Sequence, residues 1–245
     1  PVWRLLGGPV RNHVPVYNSC GGPFYGRRPG AASRAAGWAG HGDPGQPGPL
    51  EDNWSSVHRP AELARELLEA GYGAMKMKIG LGPRKDLELV EAVRKSIGDE
   101  TGLMIDANHA YTAREAIPLG RELERLGVAW FEEPVAPEDR QGYRDLCNAL
   151  DMPIAGGEGE FTRWGFRDLI RERCVDVLQP EVCGLGGITE YLKVRALAEA
   201  HFLPIVNHVW GSAVAVATNM HLLAALPDLP GGAHPVQPML EYDTT

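Results

Sequence analysis

The chain has 245 residues, 44% of them hydrophobic, and a formal net charge of -8. That apolar content is enough to bury a full core in a single domain, and the negative balance argues against nucleic acid or an anionic membrane surface as partner. No apolar run reaches membrane-spanning length and no signal peptide opens the chain, so a cytoplasmic location is expected. The chain opens on Pro1 rather than methionine, which leaves room for an upstream targeting segment. Cys20, Cys147, Cys174 and Cys183 show neither CxxC nor metal-ligand spacing and read as reduced thiols.

In chain order, short apolar runs alternate with helical patterns, as in parallel βα units. The first predicted strand is Val14–Ser19. A long Gly- and Pro-rich stretch from Cys20 to about Val57 follows it and carries Arg27, Arg28, Trp38 and His41. Coming directly after a strand, it is expected at the catalytic end, as a lid, a substrate contact or a solvated loop. Pro60 opens a helix that Gly71 ends, and Ala74–Ile79 is the second strand. Leu87, Val90, Val93 and Ile97 line the next helix, followed by strand Leu103–Asp106. Thr112 and Glu115 have the spacing of a capping box. Strands Ala129–Glu132, Pro153–Ala155, Val175–Gln179, Pro204–Asn207 and Pro238–Tyr242 complete the set. Helices are expected at about Arg140–Leu150, Arg163–Arg173, Ile188–Ala200 and Ser212–Leu226. This predicts an α/β fold, a TIM-like (β/α)7β barrel over residues 14–245, with residues 1–13 as a linker. An open doubly wound sheet is the alternative, but the polar residues below come from at least six consecutive strands, which a barrel gathers at one mouth.

Asp106 in MIDAN, Glu132 in WFEEP and Glu158 in AGGEGE each close an apolar run, and both gaps are 26 residues. Three acids converging from neighbouring strand ends suit a hard cation such as Mg²⁺. Upstream, Lys76 and Lys78 in AMKMKIG are two apart and so share one face of their strand. Mutual repulsion and partial desolvation are expected to lower the pKa of one of them, making it a base near neutrality. Glu181 ends VDVLQPE and His208 ends PIVNH, a carboxylate to fix the tautomer and raise the basicity of a histidine. Glu133 reads as a hydrogen-bonding neighbour of Glu132, and His109 as a loop residue near the mouth. His13, His58, His201, His221 and His234 fall outside the strand-end register and read as structural. Trp210 and Cys20 fall near the mouth, where pocket wall and core look alike. The GLGG of Gly184–Gly187 lacks dinucleotide-binding spacing and suits a tight turn into a helix.

The set KxK, IDAN, FEEP, GGE, QPE…GLGGITE and NH, in this order over nearly the whole chain, resembles the mandelate racemase and muconate lactonizing branch of the enolase superfamily. The resemblance implies Mg²⁺ bound by Asp106, Glu132 and Glu158, with Lys78 as the lysine acid/base and Lys76 as its electrostatic neighbour. It implies that His208 is the histidine acid/base with Glu181 as partner, that Glu241 hydrogen-bonds the substrate carboxylate, and that Asn108 contacts the site. The chemistry implied is abstraction of the proton α to a carboxylate through an enediolate. The GEGEFTRWGF and HVWGSA stretches resemble acid-sugar dehydratases and the related cycloisomerases, so dehydration of a sugar acid to a 2-keto-3-deoxy acid is expected. Racemisation, epimerisation and cycloisomerisation are the alternatives, and a non-catalytic metal- or carboxylate-binding relative is the reading of another class. A small-molecule carboxylate substrate and a homo-oligomer follow from the resemblance.

There are two departures from the family pattern. Glu181 stands where the histidine's partner is usually Asp, so the pair must accommodate one extra methylene. Family members also carry an N-terminal α+β capping domain and a C-terminal return segment, both expected to lie outside this chain.

Overall fold

The computed structural model describes residues 1–19, 58–229 and 236–242. The predicted irregular stretch with Arg27, Arg28, Trp38 and His41, together with Cys20 and His234, lies outside the described residues. Seven strands form one parallel sheet: β1 (Val16–Asn18), β2 (Ala74–Lys78), β3 (Gly102–Asp106), β4 (Phe131–Glu132), β5 (Ile154–Gly156), β6 (Val177–Leu178) and β7 (Leu240–Tyr242). Their order is β6-β5-β4-β3-β2-β1-β7, so each strand pairs with its sequence neighbour while the last returns to the first. That order is the curl of a TIM-barrel-like domain.

The helices are α1 (Val2–Leu5), α2 (His58–Glu69), α3 (Pro83–Ile97), α4 (Ala113–Arg125), α5 (Arg140–Ala149), α6 (Thr162–Glu172), α7 (Val182–Leu185), α8 (Ile188–Ala200) and α9 (Ala213–Ala224). α2 through α6 each pack on the next, and α6 packs on α8. The capping box is present, the Glu115 carboxylate accepting both the backbone N–H (3.0 Å) and the hydroxyl (2.8 Å) of Thr112. The short α1 and α7 were not anticipated. Residues 1–13 include α1, and Arg11 Nη1 donates to the carbonyls of Leu223 and Leu226 (both 2.5 Å) at the end of α9.

One expected strand takes a different form. Pro204–Asn207 joins β6 through a single bridge, Leu178 with Ile205, fastened by Leu178 N–H to Pro204 O and Val206 N–H to Leu178 O at 3.0 Å each. Among the described residues, the link from this segment to β7 is made by a side chain. The Val209 N–H donates to Glu241 Oε2 at 2.9 Å.

Alternation along each strand separates two apolar regions. Met75 and Met77 of β2, and Leu103 and Ile105 of β3, join the helix-facing core with Leu89, Val90 and Phe166. Tyr17, Met104, Trp130, Ala155, Val177 and Val206 point the other way and fill the interior of the curled sheet. At the C-terminal ends of the strands the inward positions are polar. No helix among the described residues is long and apolar enough to cross a membrane.

Candidate active site

Register places the acids side by side. Lys78 of β2 lies opposite Asp106 of β3, and Asp106 lies opposite Glu132 of β4. The inward positions of β2 are therefore Lys76 and, one pleat nearer the strand end, Lys78.

Their surroundings differ. Lys76 is buried, its Nζ 2.5 Å from Glu132 Oε1, 2.7 Å from Glu241 Oε1 and 3.7 Å from Asp106 Oδ2, with the Tyr17 ring centroid 5.8 Å away. Burial opposes its charge, but the carboxylates of Glu132 and Glu241 outweigh burial and hold its pKa well above the ordinary lysine value. Lys76 is therefore not the lysine whose pKa is lowered. Lys78, with 14% of its side chain exposed, donates to Asp106 Oδ2 and Asn108 Oδ1, both at 2.7 Å.

Glu132 is held on both oxygens. Besides Lys76 on Oε1, Trp130 Nε1 (3.1 Å) and Gln179 Nε2 (2.6 Å) donate to Oε2. Burial lifts its pKa to about 8, opposed by Lys76 and reinforced by Asp106, Glu241 and Glu158. Burial likewise lifts Glu158 to about 7, with His208 pulling against it and Glu133 and Asp106 adding to it. For Asp106, burial is overcome by Lys78 and Lys76, and its carboxyl is held far below the usual range. Glu241, buried but beside Lys76 and His208, is held down to about 2. Its protein partners include Lys76, through Oε1, and the Val209 amide, which donates to Oε2.

Across the mouth, His208 Nδ1 lies 2.9 Å from Glu181 Oε2, and Nε2 lies 3.3 Å from Glu158 Oε2. Burial disfavours the imidazolium, but Glu158 and the Glu181 hydrogen bond prevail and raise its pKa to about 10. The longer Glu181 side chain is accommodated because its carboxylate has further partners. Oε1 accepts the Cys183 N–H (2.9 Å), capping α7, and Oε2 accepts the Trp210 N–H (3.3 Å). Trp210 itself is partly exposed beside this pair.

Two participants, Trp130 and Gln179, were missed from sequence. Trp130 and Gln179 stand two residues before Glu132 and Glu181, so the same period-two rule that paired the lysines would have found them. His109 Nε2 pairs with buried Glu133, and His109 N–H donates to Glu133 O at 2.8 Å. Asn108, His109 and Glu133 all have positive φ (41°, 64° and 41°). Non-glycine residues adopt this region rarely, and such backbone collects at functional sites.

Asp106, Glu132, Glu133, Glu158, Glu181 and Glu241 face four basic groups, Lys76, Lys78, His109 and His208, leaving an excess of negative charge. Burial is the main cause of the raised carboxyl pKa values at Glu132 and Glu158, and the neighbouring carboxylates add to it. An all-oxygen donor set at neighbouring strand ends with surplus negative charge fits a hard divalent cation. Among the described residues, no three His, Cys, Asp or Glu side chains converge as a ligand set. The lysines and His208 hold the oxygens that would have to converge.

Residues 59–244 match the family model described as Enolase C-terminal domain-like. The chain belongs to this family. Among curated enolase-superfamily relatives, a D-galactarolactone cycloisomerase of Agrobacterium fabrum is 42% identical over 193 residues, covering 78% of this chain and 51% of the relative. An L-talarate/galactarate dehydratase of Salmonella typhimurium is 35% identical over 175 residues, covering 71% and 41%. Of solved structures, the 3,6-anhydro-D-galactonate cycloisomerase from Zobellia galactanivorans superimposes with a TM-score of 0.80 at 35% identity, covering all of this chain and 58% of that one. The chain spans about half the length of the curated relatives it matches. Its barrel-like domain has the enolase C-terminal domain-like fold, and the two curated relatives named above are a sugar-lactone cycloisomerase and a sugar-acid dehydratase.

Proposed function

We propose that the protein removes the proton α to the carboxylate of a sugar acid and expels an oxygen substituent from the β carbon, most simply as a dehydratase giving a 2-keto-3-deoxy acid. The observation that carries this reading is the pair of partly exposed proton carriers. Lys78 and His208 each keep 14% of the side chain exposed at the mouth, above the buried Lys76 and Glu241.

Asp106, Glu132 and Glu158 would hold Mg²⁺, which when bound neutralises a substrate carboxylate and the charge that develops beside it. Lys78 Nζ, steered by Asp106 and Asn108, takes the α proton. Glu181 engages Nδ1 of His208, so the proton exchanged with substrate is the one on Nε2, which in this structure faces Glu158. In dehydration that proton goes to the β-hydroxyl, which leaves as water, and the resulting enol becomes the keto acid. Lys76 is too enclosed to reach a ligand and serves as a fixed counter-charge.

A second reading has specific support. Two of the relatives reported above are cycloisomerases. The same α-proton removal then expels a ring oxygen, so the ring opens and no water is lost. Racemisation or epimerisation would return a proton to the opposite face of the α carbon.

The test is a screen of the full-length protein with Mg²⁺ in D₂O against open-chain sugar acids, sugar lactones and anhydro-sugar acids. α-Deuterium exchange and keto-acid formation are both followed. Keto acid from open-chain acids supports the dehydratase; keto acid from the cyclic substrates alone moves the assignment to a cycloisomerase. Exchange without keto acid indicates a racemase or epimerase. Absence of both, with the fold intact, points to a non-catalytic relative.

A further inference from the structure

Two loops leave the catalytic ends of β2 and β3 and run side by side. The first begins immediately after Lys78 with Ile79, Gly80, Leu81 and Gly82, and leads into α3. The second contains Asn108, His109, Ala110 and Tyr111, and leads into α4. Both are fastened to one buried carboxylate. Asp86, fully buried on the first turn of α3, accepts the N–H of Gly80 on Oδ2 (2.7 Å) and of Leu81 on Oδ1 (3.0 Å). The hydroxyl of Tyr111, itself only 7% exposed, donates to the same Oδ2.

The far side of the second loop is fixed as well. His109 N–H donates to Glu133 O, Tyr111 N–H donates to Pro134 O (3.2 Å), and the His109 ring pairs with the Glu133 carboxylate. Between these anchors the left-handed Asn108 turns its amide to Asp106 Oδ1 (2.8 Å) and its side-chain oxygen to Lys78 Nζ (2.7 Å). The direction of the Lys78 ammonium thus depends on two loops keeping a fixed separation, and Tyr111 to Asp86 is a side-chain link spanning them.

On the reading that Lys78 carries the proton, we infer that Asp86 and Tyr111 are positioning residues, a buried strut that fixes the Lys78 ammonium against Asn108 without touching substrate. A carboxylate is needed because it receives three donors on two oxygens. The tyrosine ring packs in the helix-facing core, so only its hydroxyl communicates with the neighbouring loop. Removing that hydroxyl alone leaves the packing in place.

The test uses Tyr111→Phe, Asp86→Asn and the double variant of the full-length protein. Tyr111→Phe is expected to lower kcat about 10-fold with KM changed less than about twofold, since small misplacements of a reacting group cost rate far more than binding. The double variant should be no slower than Asp86→Asn alone, because the two residues form one device. The crystal structure of Tyr111→Phe should show the Lys78 Nζ to Asn108 Oδ1 contact opened beyond hydrogen-bonding distance. An intact Lys78–Asn108 contact in that structure overturns the proposal, as does a lowered melting temperature with kcat unchanged. The structural readout decides the strut even if no sugar acid is turned over, an outcome that would reject the catalytic reading separately.

Discussion

His208 Nδ1 lies 2.9 Å from Glu181 Oε2, on a carboxylate that also caps α7 through the Cys183 N–H. A side chain one methylene shorter cannot serve both partners from the same backbone position. Glu181→Asp is therefore expected to lower kcat about 10-fold, and Glu181→Ala by roughly 10²-fold, the range over which a positioned proton carrier acts. Steady-state kinetics on the full-length protein measures both. Equal activity of Glu181→Asp and wild type would mean that the α7 cap alone uses the longer side chain.

The same pair sets a pH dependence of stability. Burial favours the neutral Glu181 carboxyl, but the hydrogen bonds from His208 and Cys183 prevail and hold its pKa below the ordinary 4.5. A carboxyl depressed in the folded state stabilises fully above 4.5 and loses that contribution as pH falls through its lowered value. His208, raised to about 10, stays protonated over this interval. The stability gap between wild type and Glu181→Gln is expected to be constant from pH 5 to 7, in the range above the ordinary carboxyl value. Below that range it should shrink. Urea denaturation at a series of pH values checks this, and a gap that widens on acidification would contradict it.

Lys76 is the counter-charge for two buried carboxylates, at 2.5 Å from Glu132 and 2.7 Å from Glu241. Removing one partner of a buried ionic cluster strands the others, at a cost of about 3–5 kcal/mol. Lys76→Met should lower stability by that amount in chemical denaturation. A change below about 1 kcal/mol would show that the carboxylates take up protons or water instead.

Arg94 of α3 holds the other end of the barrel. Its guanidinium donates to the carbonyls of Leu126 (2.7 Å), Gly98 (2.8 Å), Thr101 (2.8 Å) and Gly127 (3.0 Å). A lysine keeps the charge but lacks the planar fork and has too few donors for four acceptors. Arg94→Lys is expected to cost about 2–3 kcal/mol of stability. With the site at the opposite strand ends, kcat and KM of the folded enzyme should not move.

In α4, Gly120 is interior, where alanine is ordinarily favoured by about 1 kcal/mol. Here an added Cβ would lie 2.4 Å from Leu150 Cδ1, 3.1 Å from Cδ2 and 3.3 Å from Cγ. Overpacking of this kind costs about 1–3 kcal/mol and should outweigh the propensity gain. Thermal melting of Gly120→Ala is expected to show a lower Tm, and a higher one would mean that Leu150 has a second rotamer available.

Much of the site was legible because the βα unit converts chain position into place. Lys76 and Lys78 share a face by alternation, and Asp106 and Glu132 are lateral neighbours in the ladder. Glu181 and His208, from neighbouring segments, do meet. What sequence could not supply was competition among partners. Two lysines suggested mutual repulsion, but Lys76 has Glu132 and Glu241 closer than any cation the pattern implied. That Glu241 of β7 would lie on Lys76 and the Val209 amide is likewise set by contacts between distant strands, which spacing along the chain does not encode. The Pro204–Asn207 segment has the composition of a strand, yet among the described residues it contributes one bridge, and just beyond it the Val209 amide meets the Glu241 side chain of β7. The left-handed turn at Asn108 and His109 has no glycine to announce it.

Lys76 and Lys78 are the same residue type on the same strand face, separated by a single pleat of about 7 Å. That depth makes one an immobile part of the floor and leaves the other at the surface of a cup. A site built this way divides labour between height levels: the lower tier supplies fixed charge while the groups above it meet the ligand. New substrates would then be accommodated by the loops that rise from the rim, with the charge balance beneath them undisturbed.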